Sequence, residues 1–484
     1  MRIKAHKMIT KKIVLFLLLI GFQLSAQDKK WTLEECVDYA IKNNISVQQS
    51  ELDLKNASIN KKDALGAFLP SINGNASHSW NIGLNQNITT GLLENQTTQF
   101  TSAGLNVGVD IYNGLRNQLQ LRKSNLQIIA SQYQLTKMQE DIALNVANAY
   151  LQILFNKENL KVQLQQKQYN LQQLERTKEL VEAGVVPNGD LLDIKAKVAS
   201  DTQRVIAAQN ALLISKLSLA QLLRLEDFEN FDIDENQIPA LNSEILLQSS
   251  QNIMQKAKET RTELKIAQSN VELAEKDVAI ARGAYQPTIS GFYSFSTRAA
   301  YSDRVVGIQP NADNPTSVIG YVDGTGQSVL QPNFSPILGK PEPVFDQFSN
   351  NKGQNFGLQI SVPIFNGFAT RNNVQRSKIA LERAKLNLGQ QELDIERTVF
   401  TAYTDANSAK ESYEAAETTL EARKLSFEYA KARYEVGLIN VFDFNQAQTL
   451  YVNAQSEVLR TKYDYIFRTK ILEFYFGIPL IKKQ

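Results

Sequence analysis

Two long stretches of this sequence contain almost none of the residues that end a helix. Gly114 and Gly184 lie 70 residues apart, and neither glycine nor proline occurs between them. Gly367 and Gly437 are also 70 residues apart, with only Gly389 in between. Because both stretches are rich in Gln, Leu, Ala, Lys and Glu, each predicts one continuous helix. At 1.5 Å per residue, such a helix would be about 105 Å long.

A helix of that length needs partners along its whole apolar stripe, because an isolated helix has no core in which to bury it. In the second stretch an apolar or small residue recurs every seven positions: Val399, Ala406, Tyr413, Leu420, Phe427 and Tyr434. This period is typical of coiled coils. An ordinary helical core would explain the stripe equally well, and only the length favours long coiled-coil hairpins.

The two stretches belong to an internal repeat. The segment VDIYNGL at 109–115 reappears as VPIFNGF at 362–368, an offset of 253 residues. Gly184 and Gly437 share this offset. A fixed offset between several landmarks indicates a duplicated structural unit.

Each long helix is predicted to have shorter helical companions. In the first repeat, residues 33–68 and 190–225 have helical patterns, and each segment is 36 residues long. Placed end to end, the two would be about 108 Å long and would match one long helix. In the second repeat the corresponding predictions are 244–285 and 443–476.

The N-terminus has the composition of a secretory signal peptide. Residues 1–26 contain five basic and no acidic residues, with an apolar run from Ile13 to Phe22. Because this run is about half of the roughly 20 residues that a membrane-spanning helix needs, cleavage after Ala26 is predicted rather than a permanent anchor. Cleavage leaves 47 basic and 50 acidic residues, a balance that argues against a nucleic-acid partner.

The mature chain is predicted to consist of two repeats and a connector. Residues 27–227 form the first repeat, in the order helix, two strands, long helix and returning helix, and residues 244–484 form the second in the same order. The polar, turn-rich segment 228–243 connects them. The second repeat has a longer loop at about 297–352, which holds six of the twelve prolines and is expected to lie in water.

The segments that precede the long helices have strand character. Residues 71–109 hold one charged residue among 39. Apolar and polar residues alternate in 72–82 and 105–111, and again in 289–295 and 356–362. A period of two is typical of a strand with one apolar and one polar face. Each repeat therefore predicts a β-hairpin that is apolar outside and polar inside, as in a membrane barrel.

Four strands cannot close a barrel, and lipid does not tolerate an open sheet edge. The barrel would therefore be shared among several copies of the chain. The alternative is a soluble coiled-coil scaffold or adaptor of the periplasm, whose β segments pack on themselves. The near absence of charge in 71–109 favours the shared barrel, because a scaffold has little use for it.

Taken together, these residues resemble the TolC family of bacterial outer-membrane efflux and secretion channels. The resemblance rests on the signal peptide, the opening WTLEECVDYAIKNN at 31–44, the turn VPIFNGF with its upstream copy, and the two equal spacings. It implies a mainly α fold with a small β part. Two repeats of long coiled-coil helical hairpins would each contribute a β-hairpin to a trimeric 12-stranded outer-membrane barrel, which continues into a periplasmic α-helical tunnel.

The same resemblance implies a function and partners. The chain would be the passive exit duct of a tripartite efflux or type I secretion system, carrying small molecules or proteins across the periplasm and the outer membrane. Its partners would be two further copies of itself (a homotrimer), a periplasmic adaptor (membrane fusion) protein, an inner-membrane pump and outer-membrane lipid. The loop at about 297–352 would be extracellular.

Gly184 and Gly437 are predicted to end the long helices, because glycine adopts the left-handed backbone that closes a helix C-terminus. Asp190 and Asp443 each follow six residues later and are predicted to cap the returning helices. The resemblance implies that these turns form the periplasmic entrance of the tunnel. The adaptor would dock on the turn residues Gly184, Val185, Gly437 and Leu438.

The resemblance also implies a gate at this entrance. The family residue that matches Asp443 can form a threefold ring of carboxylates that favours cations. Those that match Tyr434 and Asp190 can form a constricting hydrogen bond between neighbouring hairpins. Two positions depart from the family pattern: Gln446 stands where a second acidic residue can occur, and Ile439 where an arginine can. The predicted ring is therefore weaker, and one closing link is in question.

Patterns of catalysis and metal binding are scarce. After removal of the signal peptide His78 is the only histidine, and the phosphate-binding motif G-x-x-x-x-G-K-[ST] is absent, so neither an enzyme nor a bound cofactor is predicted. No cluster of His, Cys or Met indicates a transition-metal site. Tyr112, Phe365 and Phe368, at the strand-to-helix corners, are predicted either to form an aromatic belt at the membrane rim or to pack at the corner.

Overall fold

A computed structural model describes residues 30–86, 91–227, 230–235 and 244–478. The predicted signal peptide and most of the predicted connector lie outside these residues. The prediction of a mainly helical fold is confirmed, since 65% of the described residues are helical.

In the first half of the chain, short helices and two long strands precede one very long helix and a returning helix. The elements are β1 (Lys30–Trp31), α1 (Leu33–Asn43), α2 (Ile45–Gly66), β2 (Ser71–Gln86), β3 (Leu93–Asn113), α3 (Arg116–Glu182) and α4 (Asn188–Leu223).

The second half has the same order of helices, with more strands between them. After β4 (Asp232–Ile233) and a 3₁₀ turn (Glu244–Leu247), the elements are α5 (Ser250–Thr260), α6 (Thr262–Gly283), β5 (Thr288–Ala300), β6 (Arg304–Pro310), β7 (Thr316–Tyr321), β8 (Ser328–Pro332), β9 (Phe334–Gly339), α7 (Val344–Asn350), β10 (Gly353–Ser361), α8 (Ala369–Glu435) and α9 (Val441–Phe476).

The helices of the two halves have equal lengths. α1 and α5 have 11 residues, α2 and α6 have 22, α3 and α8 have 67, and α4 and α9 have 36. Between the halves, residue numbers differ by 217 for the first two pairs and by 253 for the last two. The smaller offset also relates ALGAFLPSING at 64–74 to ARGAYQPTISG at 281–291. The longer segment between β5 and β10 accounts for the change of offset.

The helices predicted over 33–68 and 244–285 are not continuous, which corrects the prediction. Asn44 and Arg261 interrupt them with extended backbone, at φ −66° and ψ 133° for Asn44 and φ −65° and ψ 128° for Arg261. The Asn44 side chain donates to the Leu222 carbonyl at 3.1 Å and accepts from the Ser46 amide at 2.9 Å. A contact 178 residues away thus helps to fix the first break, which a local pattern does not reveal.

Arg261 fixes the second break from inside the protein. Its side chain is 4% exposed, and its guanidinium pairs with Glu263 at 2.9 Å and with Glu140 at 3.3 Å. The same group lies 4.1 Å from the centre of the Phe474 ring. Because a buried cation needs such partners, the chain stops the helix where the guanidinium can reach them.

Four strands form one antiparallel sheet in the order β10-β5-β3-β2. In the hairpin of β2 and β3, Ser71 lies opposite Gly108, and in the hairpin of β5 and β10, Thr288 lies opposite Ser361. The offsets of 217 and 253 convert one pair into the other, so the two hairpins have the same register. β3 and β5 join the hairpins, and β2 and β10 are the outer strands.

The segment predicted as a loop over 297–352 contains regular structure, which corrects the prediction. β5 continues to Ala300, β6 pairs with β9, β7 pairs with β8, and α7 follows. Proline and glycine suggested a loop, but here they lie at strand ends and in short two-stranded ribbons, where these residues are tolerated.

The strand-to-helix corners use left-handed backbone at two successive residues. Gly114 and Leu115 have φ values of +71° and +60°, and Gly367 and Phe368 have +61° and +65°. A Cβ at Gly114 would lie 2.1 Å from the carbonyl oxygen of Gly283, so only glycine permits this close approach. At Gly367, no described atom lies within 4 Å of the corresponding position.

The chain divides into two compact units. Within the described residues, one consists of 30–58, 126–227, 230–235, 244–274 and 380–478, and the other of 59–86, 91–125 and 275–379. The first holds two buried apolar clusters, one around Tyr150 and Leu154 of α3 and one around Ile253 of α5 and Val399 of α8. The second holds the four-stranded sheet.

Candidate functional site at the helical turns

α3 and α8 end in the same hydrogen-bonded turn, as predicted. Gly184 and Gly437 have φ values of +71° and +74°. The Gly184 amide donates to the Val181 carbonyl at 3.0 Å, and the Val185 amide donates to the Leu180 carbonyl at 2.8 Å. These two bonds form a Schellman motif, which satisfies carbonyls left open at a helix end. The second turn has the equivalent bonds: Gly437 to Tyr434 at 3.0 Å and Leu438 to Arg433 at 2.8 Å.

Both turns expose apolar side chains. Val185 is 67% exposed and Leu438 is 68% exposed. Val436 and Phe442 beside the second turn are exposed as well. The two turns therefore present exposed apolar surface.

Asp190 and Asp443 do not cap the returning helices, which corrects the prediction. Pro187 is the N-cap of α4 and makes no side-chain bond there. Asn440 is the N-cap of α9, and its side chain accepts from the Asp443 amide at 2.9 Å. Both aspartates lie in the first helical turn, where a carboxylate still interacts favourably with the helix dipole.

Tyr434 lies in the last turn of α8 with its ring against α9. The ring stacks on Phe444 with a centroid distance of 4.7 Å and an angle of 11° between planes. Burial raises the pKa of the Tyr434 hydroxyl, and the Asp190 carboxylate raises it further, while Arg176 lowers it. The structure thus brings Tyr434 and Asp190 close enough for electrostatic interaction, without a hydrogen bond between them in the described chain.

An aromatic ladder continues from Tyr434 into the hairpin. The Phe427 ring lies 5.8 Å from Phe444 and stacks on Tyr451 at 5.4 Å and 6°. Tyr169 of α3 meets Phe427 edge-on at 6.1 Å. Sequence reasoning found Phe427 and Tyr434 but missed their partners on α9, although Phe444 and Tyr451 are also seven residues apart.

Asp443 is exposed and lines an open groove of about 600 Å³ on the hairpin of α8 and α9. Tyr429, Arg433 and Ile439 line the same groove. A carboxylate in this position can attract cations, while the guanidinium of Arg433 in the same groove moderates the local negative charge.

A buried polar network joins the two helical hairpins above the turns. Asn170 of α3, Asp201 of α4 and Gln448 of α9 are each 1% exposed. The Asn170 amide donates to the Asp201 carboxylate, and the Asn170 carbonyl accepts from Gln448 at 2.9 Å. Because buried polar groups need their partners, this network fixes α9 against α3 and α4. Sequence reasoning missed it because polar residues on a helix also fit an exposed surface.

A second link lies next to this network. The Lys197 ammonium donates to the Thr449 hydroxyl at 2.7 Å. Burial lowers the pKa of Lys197, and the nearby Asp201 carboxylate opposes this change. Lys197 therefore connects α4 directly to α9, one residue beyond Gln448.

Neither a metal-binding cluster nor a clear membrane-spanning helix adds a further candidate site in the described residues. Within residues 30–86, 91–227, 230–235 and 244–478, no group of three or more His, Cys, Asp or Glu side chains is arranged to hold a metal ion. α4 is long and apolar enough to cross a membrane by composition, with a mean hydropathy of 1.3 in one window. Leu219 and Leu223 of this helix lie in a buried core cluster, and packed helices pass the same test.

Known proteins match the chain over most of its length. The family model described as "Outer membrane efflux protein" matches residues 36–223 and 253–475. Outer membrane protein TolC of Vibrio cholerae is 21% identical over 421 residues, which is 86% of this chain and 84% of TolC. Cation efflux system protein CusC of Escherichia coli K12 is 21% identical over 436 residues, 87% of this chain and 81% of CusC.

A solved structure shows the same fold. The crystal structure of the outer membrane protein VceC from Vibrio cholerae has a TM-score of 0.71 at 16% identity and covers 92% of this chain and 96% of VceC. Because the family match takes in most of both halves, the chain belongs to the outer membrane efflux protein family and is a protein of the outer membrane, as its resemblance to the TolC family predicted.

Proposed function

We propose that the chain is the passive exit duct of a tripartite efflux or type I secretion system and that it acts as a homotrimer. The four-stranded antiparallel sheet with two outer strands carries this proposal. Such a sheet has two open edges, and an open edge is not tolerated in lipid. Three copies would supply 12 strands and close the barrel without an edge.

The proposed domain arrangement follows from the equal helix lengths and the shared hairpin register. Residues 1–26 direct export and are removed, and residues 27–227 and 244–484 form two repeats joined by the connector 228–243. Each repeat gives one hairpin to the barrel, and its long helices form the wall of the periplasmic tunnel. The segment 297–352, with its short ribbons, lies outside the cell.

The proposed gate lies at the two helical turns. Three Asp443 carboxylates, one from each copy, form a ring that favours cations; Gln446 in place of a second acidic residue makes this ring weaker, and Arg433 in the same groove lowers the negative charge further. Tyr434 and Asp190 hold the hairpins together at rest, which their electrostatic proximity supports. Opening separates α9 from the first hairpin, so the Asn170, Asp201 and Gln448 network opposes it.

The proposed partners dock at the entrance. Gly184, Val185, Gly437 and Leu438 form the docking turns for a periplasmic adaptor: the apolar side chains of Val185 and Leu438 are exposed, and the backbone of each turn is satisfied internally. An inner-membrane pump supplies the energy, and the chain itself catalyses no reaction. The relative CusC is named for cation efflux. For this chain, however, the pump is proposed to determine which substrate is exported. A soluble scaffold, the alternative function, does not fit a protein of the outer membrane.

Planar-bilayer recordings of the purified protein test this function. The proposal predicts long-lived ion conductance that appears in equal steps, one for each inserted particle. Detergent buffer without protein serves as the control. Membrane-inserted trimers that never conduct ions would contradict the duct.

A further inference from the structure

We infer that α2 and β2 of one protomer dock on α8 and β10 of the next in one specific register, closed at the corner by a backbone contact between Gly66 and Gly367. The inference rests on the proposed trimer and names the residues that hold it together. It starts from a contact that the chain already makes once with itself.

The template for this contact is the in-chain packing of α6 and β5 against α3 and β3. At its corner Gly283 and Gly114 touch, and a Cβ on Gly283 would lie 2.5 Å from the Gly114 carbonyl oxygen. Beside this corner, two and three residues from the glycines, the Tyr112 hydroxyl donates to the Gln286 side chain. At the far end of α6 the Thr262 hydroxyl lies 3.2 Å from the Glu140 carboxylate.

Subtracting 217 from the residue numbers of α6 and β5 gives the equivalent residues of α2 and β2. Adding 253 to the residue numbers of α3 and β3 gives the equivalent residues of α8 and β10. The identical hairpin registers show that both conversions preserve the strand pairing. The equivalent strand pairing cannot form within one chain, because β5 and β3 lie between β10 and β2 in the sheet order. A neighbouring copy has both surfaces and can repeat it around a ring.

The corner residues fit the converted contact. Gly283 and Gly114 become Gly66 and Gly367, and at both positions a Cβ would meet no described atom within 4 Å. Glycine at Gly66 therefore has no explanation inside the chain, since its φ is not positive. A neighbouring backbone at the distance seen in the template explains it.

Beside the corner, both residues of the pair differ between the in-chain contact and the inferred contact. Tyr112 and Gln286, which hydrogen-bond in the template, become Phe365 and Leu69. Phe365 is 74% exposed and Leu69 is 67% exposed in the single chain. A polar pair inside the chain is thus replaced by an apolar pair, and each member would bury its side chain against the other.

The helices also have an apolar pair where the in-chain contact has a polar pair. Thr262 and Glu140 become Ile45 and Leu393. The same antiparallel register then pairs two further sets of apolar residues at seven-residue steps. The pairs are Ile45 with Leu393, Leu52 with Leu386, and Ile59 with Ile379, and all six residues are 54 to 68% exposed. Two exposed stripes that match pair by pair indicate a second copy as the occupant, since a foreign helix would have no reason to share this register.

The strand edges continue the contact. In the template Val109 lies opposite Gly291 and Ala103 opposite Thr297. Their counterparts place Phe356 of β10 opposite Trp80 of the neighbour, and Val362, the residue directly after β10, opposite Gly74. Pairing these edges satisfies the outer backbone groups of β2 and β10 and joins two aromatic rings.

Cysteine cross-linking tests the register. We expect the full-length protein with Leu52→Cys and Leu386→Cys, oxidised in isolated outer membranes, to give covalent dimers and trimers on a denaturing gel. The control, Leu52→Cys with Leu393→Cys, is displaced by one heptad, about 10 Å along the helix, and should cross-link several-fold less. The native Cys36 is fully buried and stays in place.

The possible outcomes separate this inference from the proposed function. If the variants have the mass of three chains but cross-link equally well in both registers, or only in the displaced one, the inferred interface is wrong and the trimer stands. If the protein from the outer membrane is monomeric in mild detergent, the proposed trimer itself is wrong.

A glycine substitution tests the corner without altering in-chain contacts. Gly66→Ala places a methyl group in open space within the chain but against the Gly367 backbone of the neighbour. We expect helical circular dichroism to be unchanged and the fraction of trimer to fall several-fold. Gly320→Ala, also in open space, is the control and should assemble normally. Equal trimer fractions in both variants would overturn the glycine contact.

Discussion

Single residues decide where charge and hydrogen bonds collect at the two helical turns. Asn440 rather than Asp443 caps α9, so the Asp443 carboxylate is not used to satisfy backbone and remains exposed in its groove. Tyr434 is held by stacking on Phe444, which fixes its hydroxyl near Asp190. The proposed roles of these residues in a gate can therefore be tested one side chain at a time.

Asp443→Asn should lower the cation preference of the open pore and weaken its block by divalent cations. The substitution removes one negative charge per chain from the proposed ring while keeping the shape of the side chain. Ion selectivity is measured from reversal potentials in asymmetric salt. Asp443→Glu keeps the charge and should retain the preference. Selectivity that does not change in Asp443→Asn would remove this residue from the constriction.

Tyr434→Phe combined with Asp190→Ala should raise the resting conductance of single channels. The phenylalanine keeps the stack on Phe444, and the double change removes only the hydroxyl and the carboxylate that are proposed to close the entrance. Tyr321→Phe, at an exposed tyrosine of β7, is the control. If the double variant conducts like the wild type, closure depends on other contacts.

Gln448→Ala should lower the stability of the protein, by about 1–3 kcal/mol, because it leaves the buried Asn170 carbonyl without its donor. Gln446→Ala, two residues away and exposed, should change it by less than about 0.5 kcal/mol. Melting temperatures measured in the same detergent compare the two variants. Equal values would show that the network contributes nothing to packing.

At the scale of elements, the long helices could be predicted because glycine and proline mark their ends in the sequence. Both strand hairpins were also predictable, since their alternation is local. The breaks at Asn44 and Arg261 were not, because each depends on residues far away in the sequence, such as Leu222 and Glu140. In the site, the left-handed glycines were predicted correctly, whereas the buried network and the aromatic partners on α9 depend on packing between helices.

Arg261→Met should destabilise the protein, by about 3 kcal/mol at neutral pH, because two partly buried carboxylates lose their cation. Burial raises the pKa of Glu263, but bonds from Arg261 outweigh burial and hold it below its usual range. The wild-type stabilisation by this carboxylate is therefore present above its unfolded pKa and is lost as the pH falls through the folded pKa.

The difference between wild type and Arg261→Met should consequently shrink as the pH is lowered from 7 to about 3, below the usual pKa of a glutamate. Melting temperatures at both pH values give this comparison. Arg397→Met, whose side chain is 76% exposed, should have little effect at either pH. A penalty that stays constant with pH would show that Arg261 acts through packing on Phe474 and not through its ion pairs.

For the whole molecule, one feature connects the sheet, the corners and the helices. In each, one surface from each repeat meets the other within the chain, whereas the equivalent pair of surfaces is left open in the described chain. These open surfaces are β10 and β2 in the sheet, Gly66 and Gly367 at the corners, and the stripes of α2 and α8. A ring of copies, as proposed, would close all three surfaces together. The trimeric outer-membrane duct is therefore the central claim.

The number of chains in the native particle tests this claim most directly. Cells that express the intact chain are fractionated, the outer membranes are extracted in mild detergent, and the protein mass is determined by light scattering with the detergent contribution subtracted. Three chains per particle are expected in the outer-membrane fraction. A soluble periplasmic monomer or dimer would contradict it.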